Sequence, residues 1–144
     1  MAGELEASLW GAALGALLGA LAGGLVSYQS EKFHEVRRRR QALCDQLADI
    51  SIEFNTDVNT YWSSNGPDSV MQSKILSGVM KIRMRISQID SSLADDLEIR
   101  RLIKEIYQFS TGGTFATRSH APDPSRPRNV EIRLEALRKL VAKH

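Results

Sequence analysis

Apolar and polar positions alternate with different periods along this chain, and the changes of period mark its elements. From Ala7 to Ser30 no side chain is charged. Past Tyr28, Val36, Leu43, Leu47, Ile50, Phe54, Val58 and Tyr61 recur three, four or seven apart, so a helix is expected to run on to about Trp62. Ser63-Ser64-Asn65-Gly66-Pro67 breaks it. A second helix is expected from Asp68 or Ser69, with Ile75, Val79, Ile82, Ile86, Ile89 and Leu93 in four-three spacing. Asp95 followed by Glu98 reads as a capping box opening a third helix, which carries Ile99, Leu102, Ile103, Ile106 and Phe109. Residues 110–129, STGGTFATRSHAPDPSRPRN, hold three prolines and two glycines without periodicity and predict a long loop. Asn129 is the expected cap of a last helix with Ile132, Leu134, Leu137 and Val141 as its stripe. No strand pattern, internal repeat or low-complexity tract interrupts this series. The expected fold class is all-α, a long first helix followed by a small bundle of two or three more.

The uncharged run sets the expected domain organisation. Ser8 to Tyr28 is 21 residues, about 32 Å of helix against a bilayer core of about 30 Å. Trp10 and Tyr28 stand near its ends, where amphipathic rings favour a membrane interface. Ala20-Leu21-Ala22 has the small-x-small form of a signal-peptide cleavage site, but the leading residues MAGELEA are acidic where a signal peptide is basic. The expectation is therefore a short acidic extracytoplasmic N-terminus at 1–7, a transmembrane helix at 8–28 and a cytosolic helical domain at 29–144. Lys and Arg occur only after the run, so the positive-inside rule orients it as a single-pass protein of the inner (cytoplasmic) membrane, N-terminus outside and C-terminus in the cytosol.

Within the run, Gly11, Gly15, Gly19 and Gly23 repeat every four residues, a glycine zipper whose groove lets a neighbouring helix approach closely. Leu14, Leu18, Leu21 and Leu25 occupy the remaining helix surface, as lipid face or as the dry wall of a pore. Heptad-like spacing across residues 36–61 points the same way, toward a parallel homo-oligomer. Glycine is common in membrane helices, so a simple tether with chance spacing stays open.

Length and chemistry narrow the function classes. The chain has 144 residues, the length of one domain. Its one cysteine, Cys44, fits a reducing compartment. His34, His120 and His144 have no neighbours at ligand spacing, so no metal site and no cofactor are expected. Cys44 lies ten residues from His34, about 15 Å along a helix, too far for a nucleophile and its base. Thr111-Gly112-Gly113-Thr114 follows a helix and lacks a Gly-Lys-Ser/Thr ending, so it reads as a turn rather than a phosphate cradle. The tail Arg138 to His144 resembles the loose Arg-spacer-His pattern of HEPN ribonucleases, but a histidine at a helix end frays away from any site. No catalytic residue is assigned, and an enzyme is not expected.

Residues 29–144 carry 19 basic side chains against 15 acidic. Lys32 and Arg37, Arg38, Arg39 and Arg40 crowd just past the apolar run, and Lys74, Lys81, Arg83 and Arg85 form a second stretch with no acid between Asp68 and Asp90. Anionic lipid headgroups are one expected partner of such clusters. In an oligomer the same residues make a collar suited to a nucleotide, a single-stranded nucleic acid or a permeant anion.

The acidic N-terminus, the glycine-zipped WGAALGALLGALAGGLVSY, the RRRR collar and the small helical domain together resemble the small single-pass membrane effectors of bacterial antiviral defence systems. That resemblance implies a homo-oligomeric gated pore or ion channel in the lipid bilayer, its opening controlled by a cytosolic anionic cue such as a nucleotide or nucleic acid. The alternative is a membrane-tethered helical adaptor that docks a cytosolic protein partner through the face from Val70 to Leu93 without forming a pore.

Overall fold

The computed structural model describes residues 2–66, 68–118 and 120–144, and side chains within them from Glu31 onward. The described residues form four helices, α1 (Ala2–Ser63), α2 (Ser69–Ile89), α3 (Leu97–Thr111) and α4 (Ser125–Lys143), with a 3₁₀ turn at Ser91–Asp95. No strand occurs among the described residues, so the all-α expectation holds. The chain divides into two compact units, Met1–Arg39 and Arg40–His144.

Among the described residues no helix is long and apolar enough to cross a membrane. This finding corrects the expected inner-membrane, single-pass localisation. With it fall the readings of a transmembrane helix, an ion channel or pore, and an antiviral defense effector. Over the residues whose side chains are described, the physical reason lies in charge spacing. From Glu31 onward α1 meets a charged side chain every few residues, from Lys32, Glu35 and Arg37 to Glu53 and Asp57, and α2 is cut by Lys74, Lys81, Arg83 and Arg85. The zipper glycines Gly11, Gly15, Gly19 and Gly23, and with them Leu14, Leu18, Leu21 and Leu25, lie outside the residues whose side chains are described.

In the second unit the core is built where the periodicity placed it. Leu47, Phe54, Val58, Tyr61 and Trp62 of α1 meet Ile75, Ile82 and Ile86 of α2, Ile99, Leu102 and Ile106 of α3, and Val130, Leu134, Leu137 and Val141 of α4. The stripe that suggested parallel copies thus packs, from Leu47 to Tyr61, inside its own chain. Ile132 departs from expectation: it is exposed, and Val130 fills the core position on that turn of α4.

Aspartates punctuate the helices. The Asp68 carboxylate accepts the backbone N–H groups of Val70 and Met71 at 2.9 and 3.0 Å, satisfying two of the orphan donors that open α2. Asp90 closes α2 and caps the 3₁₀ turn through Ser92 N–H at 2.8 Å. The expected cap of α3 shifts by one: Asp96 accepts from Glu98 and Ile99, both at 2.9 Å, while Asp95 pairs with Arg100 at 2.8 Å. The inserted 3₁₀ turn carries Asp95 in its last position, which leaves Asp96 in the extended conformation that a cap needs.

The expected loop 110–129 is shorter than its composition implies. Helix α3 continues through Ser110 to Thr111, and α4 starts at Ser125, with Pro127 buried in its first turn, where a missing N–H does no harm. Asn129 sits inside α4 and donates its amide to the Ser125 carbonyl at 2.9 Å, so it is no cap.

Candidate docking groove

Residues 112–118 and 120–124 are tied down by the end of α1. The last carbonyls of a helix lack intrahelical donors, and here the chain supplies them. Asp123 donates its backbone N–H to the Trp62 carbonyl at 3.0 Å, and His120 Nε2 donates to the Tyr61 carbonyl at 3.1 Å. The Trp62 indole N–H donates to the Ser110 carbonyl at 3.0 Å, and the Tyr61 hydroxyl accepts from Ala116 N–H at 3.0 Å. Tyr61, Trp62, Phe115 and His120 form one aromatic cluster, with ring centres 4.5 to 5.3 Å apart. The Arg126 guanidinium lies 4.5 Å from the Trp62 ring centre, donates to the Phe109 carbonyl at 3.2 Å and pairs with Asp123 at 3.0 Å. Hydrogen bonds from the Ser125 hydroxyl and backbone, with Arg126 adjacent, hold the Asp123 carboxyl below its usual range.

Three of the chemical candidates have turn or packing surroundings. Gly112 and Gly113 form a turn, as the sequence implied, and the Arg126 guanidinium already lies against both. His120 is a buried member of the aromatic cluster, and half-buried Cys44 packs against the core. Among the described residues no three of His, Cys, Asp and Glu are grouped as metal ligands would be.

The basic candidates fall in both units, and those of the second unit do not form one patch. Lys32, Arg37, Arg38 and Arg39 are exposed on the described part of α1 in the first unit. Half-buried Arg40, in the second unit, reaches the Val141 carbonyl at 3.5 Å, so it serves the C-terminal end of α4. Lys74 and Lys81 border a cleft with Glu53 and Asp57, whose carboxylates offset their charge. Arg83 faces a different side of α2, and Arg85 lines neither cleft.

What the structure brings together instead is an apolar groove of about 510 Å³ between α2, the 3₁₀ turn and α3. It is lined by Leu76, Val79, Met80, Arg83, Ile86, Ala94, Arg100, Ile103, Lys104 and Tyr107. The helices produce it because α2 has two apolar faces. Ile75, Ile82 and Ile86 face the core, whereas Leu76, Met80 and Met84, four apart, form a ridge that the chain leaves open. Met80 is 70 % exposed and Met84 60 %; across the groove Tyr107 is 45 % exposed. No carboxylate lines it. Arg100 is held at its edge by Asp95 and by the Ala94 carbonyl at 3.0 Å, while Arg83 and Lys104 have no acidic partner among the described residues. Sequence reasoning placed a docking face within Val70–Leu93, and the groove's α2 wall falls there; the α3 wall was missed, although Ile103 and Tyr107 stand four apart. Comparison with protein-family models, curated proteins and solved structures returned no match for this chain.

Proposed function

We propose that this chain is a non-catalytic helical adaptor whose working surface is the α2–α3 groove. The observation that carries the reading is the ridge Leu76, Met80, Met84, an apolar face left uncovered on a helix whose opposite face already fills the core. Clustered exposed apolar side chains mark interaction sites more often than single ones do, and methionines suit a surface that must adapt to its occupant. Burying the exposed parts of Leu76, Met80 and Tyr107 supplies about 3–5 kcal/mol on this side of an interface. A partner contributing as much would only modestly exceed the cost of association, so the expected complex is reversible.

Photo-crosslinking tests this. p-Benzoylphenylalanine at Met80 should give a discrete adduct in cells that make the protein, and Leu76→Glu should remove it. The same group at exposed Lys139 on α4 should not give it. Identical adducts from both positions, or none from Met80 in a folded chain, would overturn the adaptor reading.

A further inference from the structure

From the charges around the groove we infer that its occupant is an acidic amphipathic helix of another protein; this rests on the adaptor reading. The two walls carry cations on opposite sides, Arg83 from α2 and Lys104 from α3, and no lining residue is acidic. Arg100 is already engaged by Asp95, which leaves Arg83 and Lys104 as the charges that a bound segment would meet on either flank. An occupant with Asp or Glu on both flanks of an apolar stripe complements this surface, and one with Lys or Arg meets repulsion on both sides.

The groove also selects backbone form. Leu76 to Arg83 spans about 10.5 Å of α2, and Arg100 to Tyr107 spans the same length of α3, roughly two helical turns. Both walls present side chains, and among the described residues there is no strand edge to pair with an extended peptide. A helix satisfies its own backbone groups, so it can bind through side chains alone, with anchors at i, i+3 or i+4 and i+7 over Leu76, Met80 and Tyr107.

The experiment uses the full chain and three labelled 18-residue helix-forming peptides read by fluorescence anisotropy. All carry the same helix-favouring background; one has a leucine stripe flanked by Glu, one the same stripe flanked by Lys, and one has Ala in place of the leucines. The Glu peptide should bind about tenfold more tightly than the Lys peptide at low salt and lose that advantage as salt rises. The Ala peptide should not bind. Arg83→Glu with Lys104→Glu, checked for unchanged helicity, should invert the preference, which a merely structural role for these residues would not do. Equal binding of the Glu and Lys peptides, or tighter binding of the Lys peptide, overturns the acidic class while leaving an adaptor. A Met80 crosslink made only to a second copy of this chain overturns the inference in favour of self-association. Failure of all peptides together with no Met80 adduct overturns the adaptor reading itself.

Discussion

Replacing Gly78 with alanine should destabilise the bundle, against the direction that helix propensity dictates. Gly78 lies within α2, where alanine is favoured over glycine by about 1 kcal/mol. A β-carbon at this position would run into the Phe54 ring, contacting Cδ2 and lying 3.1 Å from Cε2. Phe54 is only 2 % exposed and held in the core, so the ring cannot swing into solvent to make room. Forcing a methyl group into a filled core costs about 1–3 kcal/mol, which exceeds the propensity gain. The net expectation is a loss of about 1 kcal/mol, or roughly 3–5 °C in Tm for a bundle of this size. Urea unfolding followed by circular dichroism at 222 nm measures it, with Ser77→Ala on the exposed side as a control expected to gain a few tenths of a kcal/mol. Phe54→Leu supplies the second arm, since a smaller branched side chain can turn its methyls aside. In that background Gly78→Ala should become neutral or stabilising, a coupling of about 1 kcal/mol. A stabilising effect of Gly78→Ala in the otherwise unaltered chain would refute the close approach of α2 to Phe54.

Three further outcomes follow from the cluster at the end of α1. Trp62→Phe leaves the buried Ser110 carbonyl without its donor and should lower unfolding free energy by about 2–3 kcal/mol in the same urea assay, whereas an unchanged midpoint would refute the role of that bond. Ala116 has φ 59°, a left-handed conformation that costs an L-residue about 1–2 kcal/mol, so Ala116→Gly should raise Tm slightly despite glycine's greater freedom when unfolded. The Asp123 carboxyl is held below its unfolded-state value, so its contribution is fully present above the ordinary carboxylate range and is lost as pH falls through the depressed folded value. Asp123→Asn should flatten that acidic limb of the stability–pH curve, and an unchanged slope would count against the Ser125 and Arg126 contacts.

Periodicity made α1, α2 and α3 legible because each devotes one stripe to the core, and Asp68 announced the start of α2 by residue type alone. The neighbouring acids were harder. Asp95 and Asp96 can each cap a helix, and the choice falls to a 3₁₀ turn that has no strong sequence signature. The proline-rich stretch misled because Pro127 suits a first helical turn as well as a loop. The groove stayed half hidden because two apolar stripes overlap on α2: the four-three run through Ile75, Ile82 and Ile86 masks Leu76, Met80 and Met84 one register away. The second basic stretch, contiguous in sequence, is distributed around α2 by helical rotation, so Lys74 and Lys81 face one cleft and Arg83 another. The expected membrane span rested on length and lack of charge within residues 8–28, whose side chains lie outside those described, and among the described residues no helix is long and apolar enough to cross a membrane.

The closure of α1 by distant chain has a kinetic consequence. Around the end of this helix, donor and acceptor are separated by 48 residues for Trp62 and Ser110 and by 59 for Tyr61 and His120. Arg40 and Val141 are 101 apart. Helical bundles generally fold fast because their contacts are local, but these contacts cannot form until long stretches of chain have been gathered, and the entropy of gathering comes before the reward. During synthesis Tyr61 and Trp62 are therefore made well before the residues that cover them. In the interval an aromatic pair destined for the core stands open, the stage at which a nascent chain of this design is most exposed to aggregation and most in need of a chaperone.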